Sequence, residues 1–183
     1  VDIVRIAIHV NNALKCRNLI AMIAQLGYKV ALNLMQSSSI SENNFTHIVR
    51  KINNWNLVDI LYFADSFGDM NQKKVTSLSL LIKKNFNGYV GFHAHNNKGL
   101  ALVNSLTAMN NGVTYIDSTV MGMGRGAGNT QTENLILELN SLKQNVKRSI
   151  NDILPLLLKD FDQLKRKYNW GTNIYYYLAA EYS

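Results

Sequence analysis

Two histidines set one residue apart, His93 and His95, are the strongest chemical signal in this sequence. They end a short apolar run, Tyr89-Val90-Gly91-Phe92, and the polar Asn96-Asn97-Lys98-Gly99 follows at once. Successive side chains of a strand point to opposite faces. Two imidazoles at this spacing therefore share a face, roughly 6.5–7 Å apart along the chain. Imidazoles so placed can converge on one divalent cation at about 2.0–2.2 Å each. A second candidate stretch lies downstream, Gly122-Met-Gly124-Arg-Gly126-Ala-Gly128-Asn129, followed by Thr130-Gln-Thr-Glu133. It reads either as part of a site or as a tight turn into a helix that Thr130 and Glu133 would cap.

The elements that must carry these residues alternate in type. Strands are expected at Val4–His9, Lys29–Met35, Asp59–Ala64, Tyr89–His95 and Tyr115–Val120, with comparable points roughly 25–30 residues apart. Helices are expected between them over Asn12–Leu26, from Ser41 as a cap through Phe45, Ile48, Val49 and Ile52, over Asn71–Lys84, and over Gly99–Asn110. Five consecutive βα units imply a parallel sheet with right-handed crossovers. A further helix is expected over Asn151–Tyr168, with Leu157, Phe161, Leu164 and Tyr168 on one stripe, and an aromatic patch at Tyr175, Tyr176 and Tyr177. The polar residues His9, Gln36, Asp65, His93, His95 and Asp117 fall at or near the C-terminal ends of the strands, where parallel α/β sheets place their ligands.

Composition narrows the classes. With 183 residues and 47% hydrophobic, the chain can bury a core as one domain. The single cysteine, Cys16, excludes an internal disulfide and fits a reducing cytosol, so a cytoplasmic location is expected. No stretch approaches the roughly 20 apolar residues of a membrane span. A net charge of +7 raises nucleic acid as a partner. The bases are scattered over helices, with denser groups at Lys143–Arg148 and Lys165–Lys167, and read as solvated helix faces. Neither a nucleic-acid nor a membrane partner is expected.

The stretch from Gly91 to Ser105, with Gly122-Met-Gly-Arg-Gly-Ala-Gly-Asn129-Thr-Gln-Thr-Glu133, resembles the DRE-TIM metallolyases, which include hydroxymethylglutaryl-CoA lyase. It is most similar to their 4-hydroxy-2-oxovalerate aldolase branch, over roughly Val4 to Leu139. The resemblance implies a TIM barrel that uses Mn²⁺ or Mg²⁺, with His93 and His95 as metal ligands and Asn129 at or near the metal. It implies that Ser66, with Asp65 beside it, meets the substrate, a 2-oxo acid. The implied reaction is reversible cleavage of a 4-hydroxy-2-oxo acid to pyruvate and an aldehyde, the cation stabilising the enolate.

The sequence also departs from that pattern. The Arg-Asp pair of the family's first strand occurs nowhere, and its base histidine has no counterpart. A (β/α)₈ barrel needs eight strands and about 250 residues; five are expected here, matching the family's fourth to eighth. Residues 1–149 would form a partial barrel and 150–183 a helical, aromatic extension packed on it. The two edge strands should then associate with the segment completing the barrel or with a second copy, as a homo-oligomer. The chain alone is expected to be inactive or nearly so. Two other readings remain: an acyl-CoA-dependent synthase of the isopropylmalate type, against which Asn97 and the Ala64-Asp65-Ser66 strand end weigh, and a non-catalytic assembly module. The terminal tyrosines could include an acid or base, or could simply pack.

Overall fold

Branched and aromatic residues crowd five short segments, and each becomes a strand of one sheet. In the computed structural model, which describes residues 1–142 and 149–182, these are β1 (Ile3–His9), β2 (Lys29–Met35), β3 (Ile60–Asp65), β4 (Tyr89–Ala94) and β5 (Tyr115–Ile116). They lie in the order β1-β2-β3-β4-β5, every neighbouring pair parallel. The crossovers are α1 (Arg17–Gln25), α2 (Glu42–Asn53), α3 (Gln72–Asn85) and α4 (Ala101–Asn110). Ser41 and Asn71 cap α2 and α3 by accepting the backbone N–H of Asn44 and Lys74. The helix expected from Asn12 instead starts as a 3-10 segment over Val10–Cys16. There the His9 imidazole accepts the N–H of Asn11.

Strand alternation gives the sheet two unlike faces. Val30, Leu32, Leu34, Leu61, Phe63, Val90, Phe92 and Ala94 join Ile20, Phe45, Ile52, Val75, Leu78, Ile82 and Ala108 of the helices in one core. Each large side chain fully buried there contributes about 1.5–3 kcal/mol. The other face carries Arg5, Asn33, Tyr62, Gly91 and His93, with a small apolar cluster of Ala31, Ile60 and Tyr62. Gly91 is paired with Tyr62, and a Cβ there would fall 2.4 Å from the Tyr62 ring. Its missing side chain is what lets that ring lie flat enough to carry the Arg5 guanidinium, 3.9 Å above it.

β1 and β5 are the two edges, and the sheet does not close. It does curl. Four strand spacings of about 4.8 Å would set the edges of a flat sheet about 19 Å apart. Arg5 on β1 nevertheless meets Asp117, just past β5, at 2.6 Å. Such an arc, with helices outside and polar groups inside, is a partial TIM barrel of five βα units.

Three local expectations give way. β5 stops at Ile116 rather than Val120: Asp117 turns its carboxylate to Arg5 and His93, and Thr119 pairs with the returning chain at Thr130 and Thr132. The capping box at Thr130–Glu133 does not form. Thr130 is buried with its hydroxyl donating to the Ala101 carbonyl, Glu133 accepts from the Met121 N–H, and α5 runs Thr132–Ser141. The long C-terminal helix is broken into α6 (Ile150–Leu156) and α7 (Asp162–Tyr168) by a π turn at Leu157–Phe161, after Pro155 has removed a donor from the ladder. Its expected stripe is inward only at Leu157; Tyr168 is 64% exposed. The basic group Lys143–Arg148 lies outside the described residues. α8 (Ile174–Glu181) is held to the loop after β4 by the Lys98–Glu181 ion pair at 2.5 Å.

Candidate active site

β4 carries His93 on the concave face and ends at Ala94, one residue short of the expected His95, which follows at once in a bridge to Asn129. The two imidazole centroids are 5.1 Å apart and the planes nearly perpendicular, at 80°. His93 is anchored: its Nδ1 lies 2.8 Å from Asp117 Oδ2. Burial works against the charge on Asp117, but the His93 and Arg5 contacts outweigh it and hold the carboxyl below its ordinary range. An ionised carboxylate only accepts, so Nδ1 of His93 is the donor and Nε2 is the ring nitrogen left outside that bond. This is the carboxylate–histidine arrangement that orients a metal-binding imidazole. His95 is pushed down to about 4, by burial first, then by the charges of His93 and Arg125. It is a neutral imidazole at physiological pH, the form that ligates.

Asn129 comes to the histidines from the glycine-rich loop, its backbone bridged to that of His95. The loop is bent to deliver it. Gly128 has φ +79°, and a Cβ there would lie 2.1 Å from the Gly122 carbonyl. The Asn129 side-chain N–H₂ donates to the Met123 carbonyl at 3.0 Å, while Oδ1 is buried without a hydrogen-bond partner. An orphaned amide oxygen on the residue bridged to His95 is a donor that suits a cation. Among the described residues, no group of three or more His, Cys, Asp or Glu side chains comes together to hold one. The set therefore fits part of a coordination shell, and a hard ion such as Mn²⁺ or Mg²⁺ needs further oxygen donors.

A cavity of about 300 Å³ opens beside His95, lined also by Ser66, Asn97, Arg125, Gly126, Ala127 and Tyr176. Ser66 accepts the Gln36 N–H at 2.8 Å, which leaves its own O–H free to donate. Asp65 faces elsewhere. It is 1% exposed, and its Oδ1 accepts the N–H groups of Asp69 and Met70, shaping the loop that presents Ser66. Burial, against the pull of the Met70 N–H and with the nearby Asp69 carboxyl adding to it, lifts Asp65 to about 7. At their strand ends His9 accepts the Asn11 N–H on its imidazole and Gln36 gives its backbone N–H to Ser66. Arg5, Arg125 and Tyr176 were not singled out by spacing alone. The glycines flanking Arg125 and the recurrence of tyrosine in α8 were the available signals.

The C-terminal segment forms a wall of this site. Trp170, buried, donates its indole N–H to the Met121 carbonyl at 2.9 Å, and the Gly171 N–H bonds to the Gly126 carbonyl at 3.0 Å. α8 then places Tyr176 in the cavity while Tyr175 is 78% exposed.

The profile of the HMGL-like family matches residues 6–157. The 4-hydroxy-2-oxovalerate aldolase of Pelotomaculum thermopropionicum is 37% identical over 139 residues, 76% of this chain and 41% of that protein. The chain thus spans less than half the length of the curated relatives it matches. Among solved structures, the N-terminal domain of a proposed aldolase from Bacteroides vulgatus superposes with a TM-score of 0.90 at 37% identity, over 98% of this chain and 59% of that one. The HMG-CoA lyase of Bacillus subtilis, at 15% identity and a TM-score of 0.75 over 92% of this chain and 63% of that one, shares the fold. The open barrel arc accords with these matches: this chain belongs to the HMGL-like family.

Proposed function

We propose that this chain is the site-bearing part of a divalent-metal-dependent aldolase that cleaves a 4-hydroxy-2-oxo acid to pyruvate and an aldehyde. The observation that carries the reading is the Asp117-anchored His93 beside neutral His95, facing a cavity that also holds Ser66 and Tyr176. His93, His95 and Asn129 would hold Mn²⁺ or Mg²⁺, which when bound supplies Lewis-acid polarisation of a 2-oxo group. Ser66 donates its free hydroxyl to the substrate carboxylate, and Asp65 holds the loop that positions it. Tyr176 relays the proton of the 4-hydroxyl, accepting it as its own phenolic proton passes to a base on the segment that completes the barrel; the C3–C4 bond breaks, the electron pair passes toward the 2-oxo oxygen, and protonation at C3 gives pyruvate. The segment that closes the barrel between β5 and β1 supplies the remaining oxygen donors and the partner surface for both edges, with a second copy as the other source.

Titration of Mn²⁺ into the parent, His93→Ala and His95→Ala proteins tests the site. Affinity should fall at least ten-fold in each variant. Equal affinity in all three favours a non-catalytic assembly module, a reading supported by the lack of a third acidic or histidine ligand among the described residues. For the reaction, pyruvate should form from a 4-hydroxy-2-oxo acid once the barrel is complete and Mn²⁺ is present. Thiol release from acetyl-CoA instead would identify an acyl-CoA-dependent synthase.

A further inference from the structure

Arg125 is exposed, and no side chain in the described structure answers its charge. Among the described residues no carboxylate ion-pairs with it, no ring lies beneath it and no side-chain hydrogen bond takes its guanidinium. The neighbouring cations are occupied: Arg5 by Asp117 and Tyr62, Lys98 by Glu181. Arg125 nevertheless lines the cavity with Ser66, His95, Asn97 and Tyr176, and no acidic residue does so. Its backbone is fixed, since its carbonyl accepts the Gly128 N–H at 3.1 Å and the next carbonyl, that of Gly126, accepts the Gly171 N–H. A permanent cation is thus presented by a braced loop to a cavity whose other groups include a free hydroxyl donor.

We propose that this cavity binds a carboxylate and that Arg125 is the residue that recognises it. A guanidinium presents its donors as a planar fork matched to the two oxygens of a carboxylate, and such charge-assisted pairs are about twice as strong as neutral ones. The inference deepens the aldolase reading and rests on it for the substrate. The carboxylate is either the one adjoining the 2-oxo group or a second one on the aldehyde half. In the latter case the aldehyde product is itself an acid. The recognition chemistry is the same, and binding measurements separate the sources.

Calorimetric titration of pyruvate, with one carboxylate, and of 2-oxoglutarate, with two, is carried out on the parent, Arg125→Ala and Arg125→Lys proteins, with and without Mn²⁺. Removing the guanidinium should weaken at least one acid about ten- to hundred-fold, and lysine should restore part of the loss. Weakening of both acids assigns the carboxylate beside the 2-oxo group; weakening of 2-oxoglutarate alone assigns the distal one. Unchanged affinity for both acids in Arg125→Ala overturns the proposal. So does equal weakening of uncharged pyruvamide, or failure of the parent to bind either acid at millimolar concentration. Urea unfolding of Arg125→Ala, expected to match the parent, separates lost recognition from lost folding. A failed metal site would appear in the histidine variants, while the metal-free titrations still report on Arg125.

Discussion

Replacing Asp117 by asparagine tests how the two edges of the open barrel are tied together. Both partners of this residue converge on one oxygen, Oδ2, with His93 Nδ1 at 2.8 Å and Arg5 Nη1 at 2.6 Å. Asparagine keeps the shape and one acceptor, so the change removes charge while sparing geometry. Hydrogen bonds to charged groups contribute about 1.5–3 kcal/mol against about 1 for neutral ones. The side chains of Arg5 and Asp117 are 34% and 24% exposed, so solvent screening keeps each loss toward the lower end. The sum is about 1–2 kcal/mol. Because the folded carboxyl titrates below its unfolded value, this stability is fully present above about pH 4 and disappears as pH falls through the folded value. Urea unfolding at pH 7 should show a lower midpoint for Asp117→Asn with an unchanged slope, and the gap should narrow below about pH 4. Arg5→Met, alone and combined with Asp117→Asn, should be non-additive by about 1 kcal/mol. An Asp117→Asn protein as stable as the parent at pH 7, or a gap indifferent to pH, would refute the claim that this ion pair spans the sheet.

Asp65→Asn should behave in the opposite sense. Its folded value is raised to about 7, so the parent loses stability relative to the variant as pH rises from about 4 to 7, by up to about 4 kcal/mol; equal pH profiles in thermal unfolding would contradict a buried, proton-holding carboxyl. Gly128→Ala forces a side chain into φ +79° and against the Gly122 carbonyl, and should cost about 2–4 kcal/mol by denaturant titration, with loss of Mn²⁺ binding; a near-neutral result would mean that the loop can re-form around a Cβ. On the aldolase reading, with the barrel completed, Tyr176→Phe should lower kcat about 10²–10⁴-fold, while Tyr175→Phe stays within about two-fold; matching losses would remove Tyr176 from proton transfer.

The strand–helix rhythm was legible because each strand is a run of branched residues with its own turn chemistry, and β2 falls on the expected Lys29–Met35. The extent of β5 was not, since no glycine or proline interrupts the chain between Tyr115 and Val120 and only the tertiary partners of Asp117 and Thr119 reveal that it has turned. Thr130 and Glu133 have the spacing of a capping box. Spacing could not reveal that Thr130 is buried, with a better acceptor at Ala101. His93 and His95 could be brought together from period alone, and their ring centroids lie 5.1 Å apart although β4 ends between them. The Arg5–Asp117 tie was invisible because it joins residues distant in sequence across a curvature that no local pattern encodes. Among three adjacent tyrosines, helical phase decides which one enters the cavity, and that phase is set by the docking of α8 rather than by the residues themselves.

The hold of Trp170 and Gly171 on the glycine-rich loop bears on the order of events during synthesis. The loop leaves the ribosome well before the tail that braces it, and domains tend to fold from the N-terminus as they emerge. The histidines can therefore be in place on a formed sheet while the pocket next to them still lacks a side, and only α8, made later, gives it its final shape.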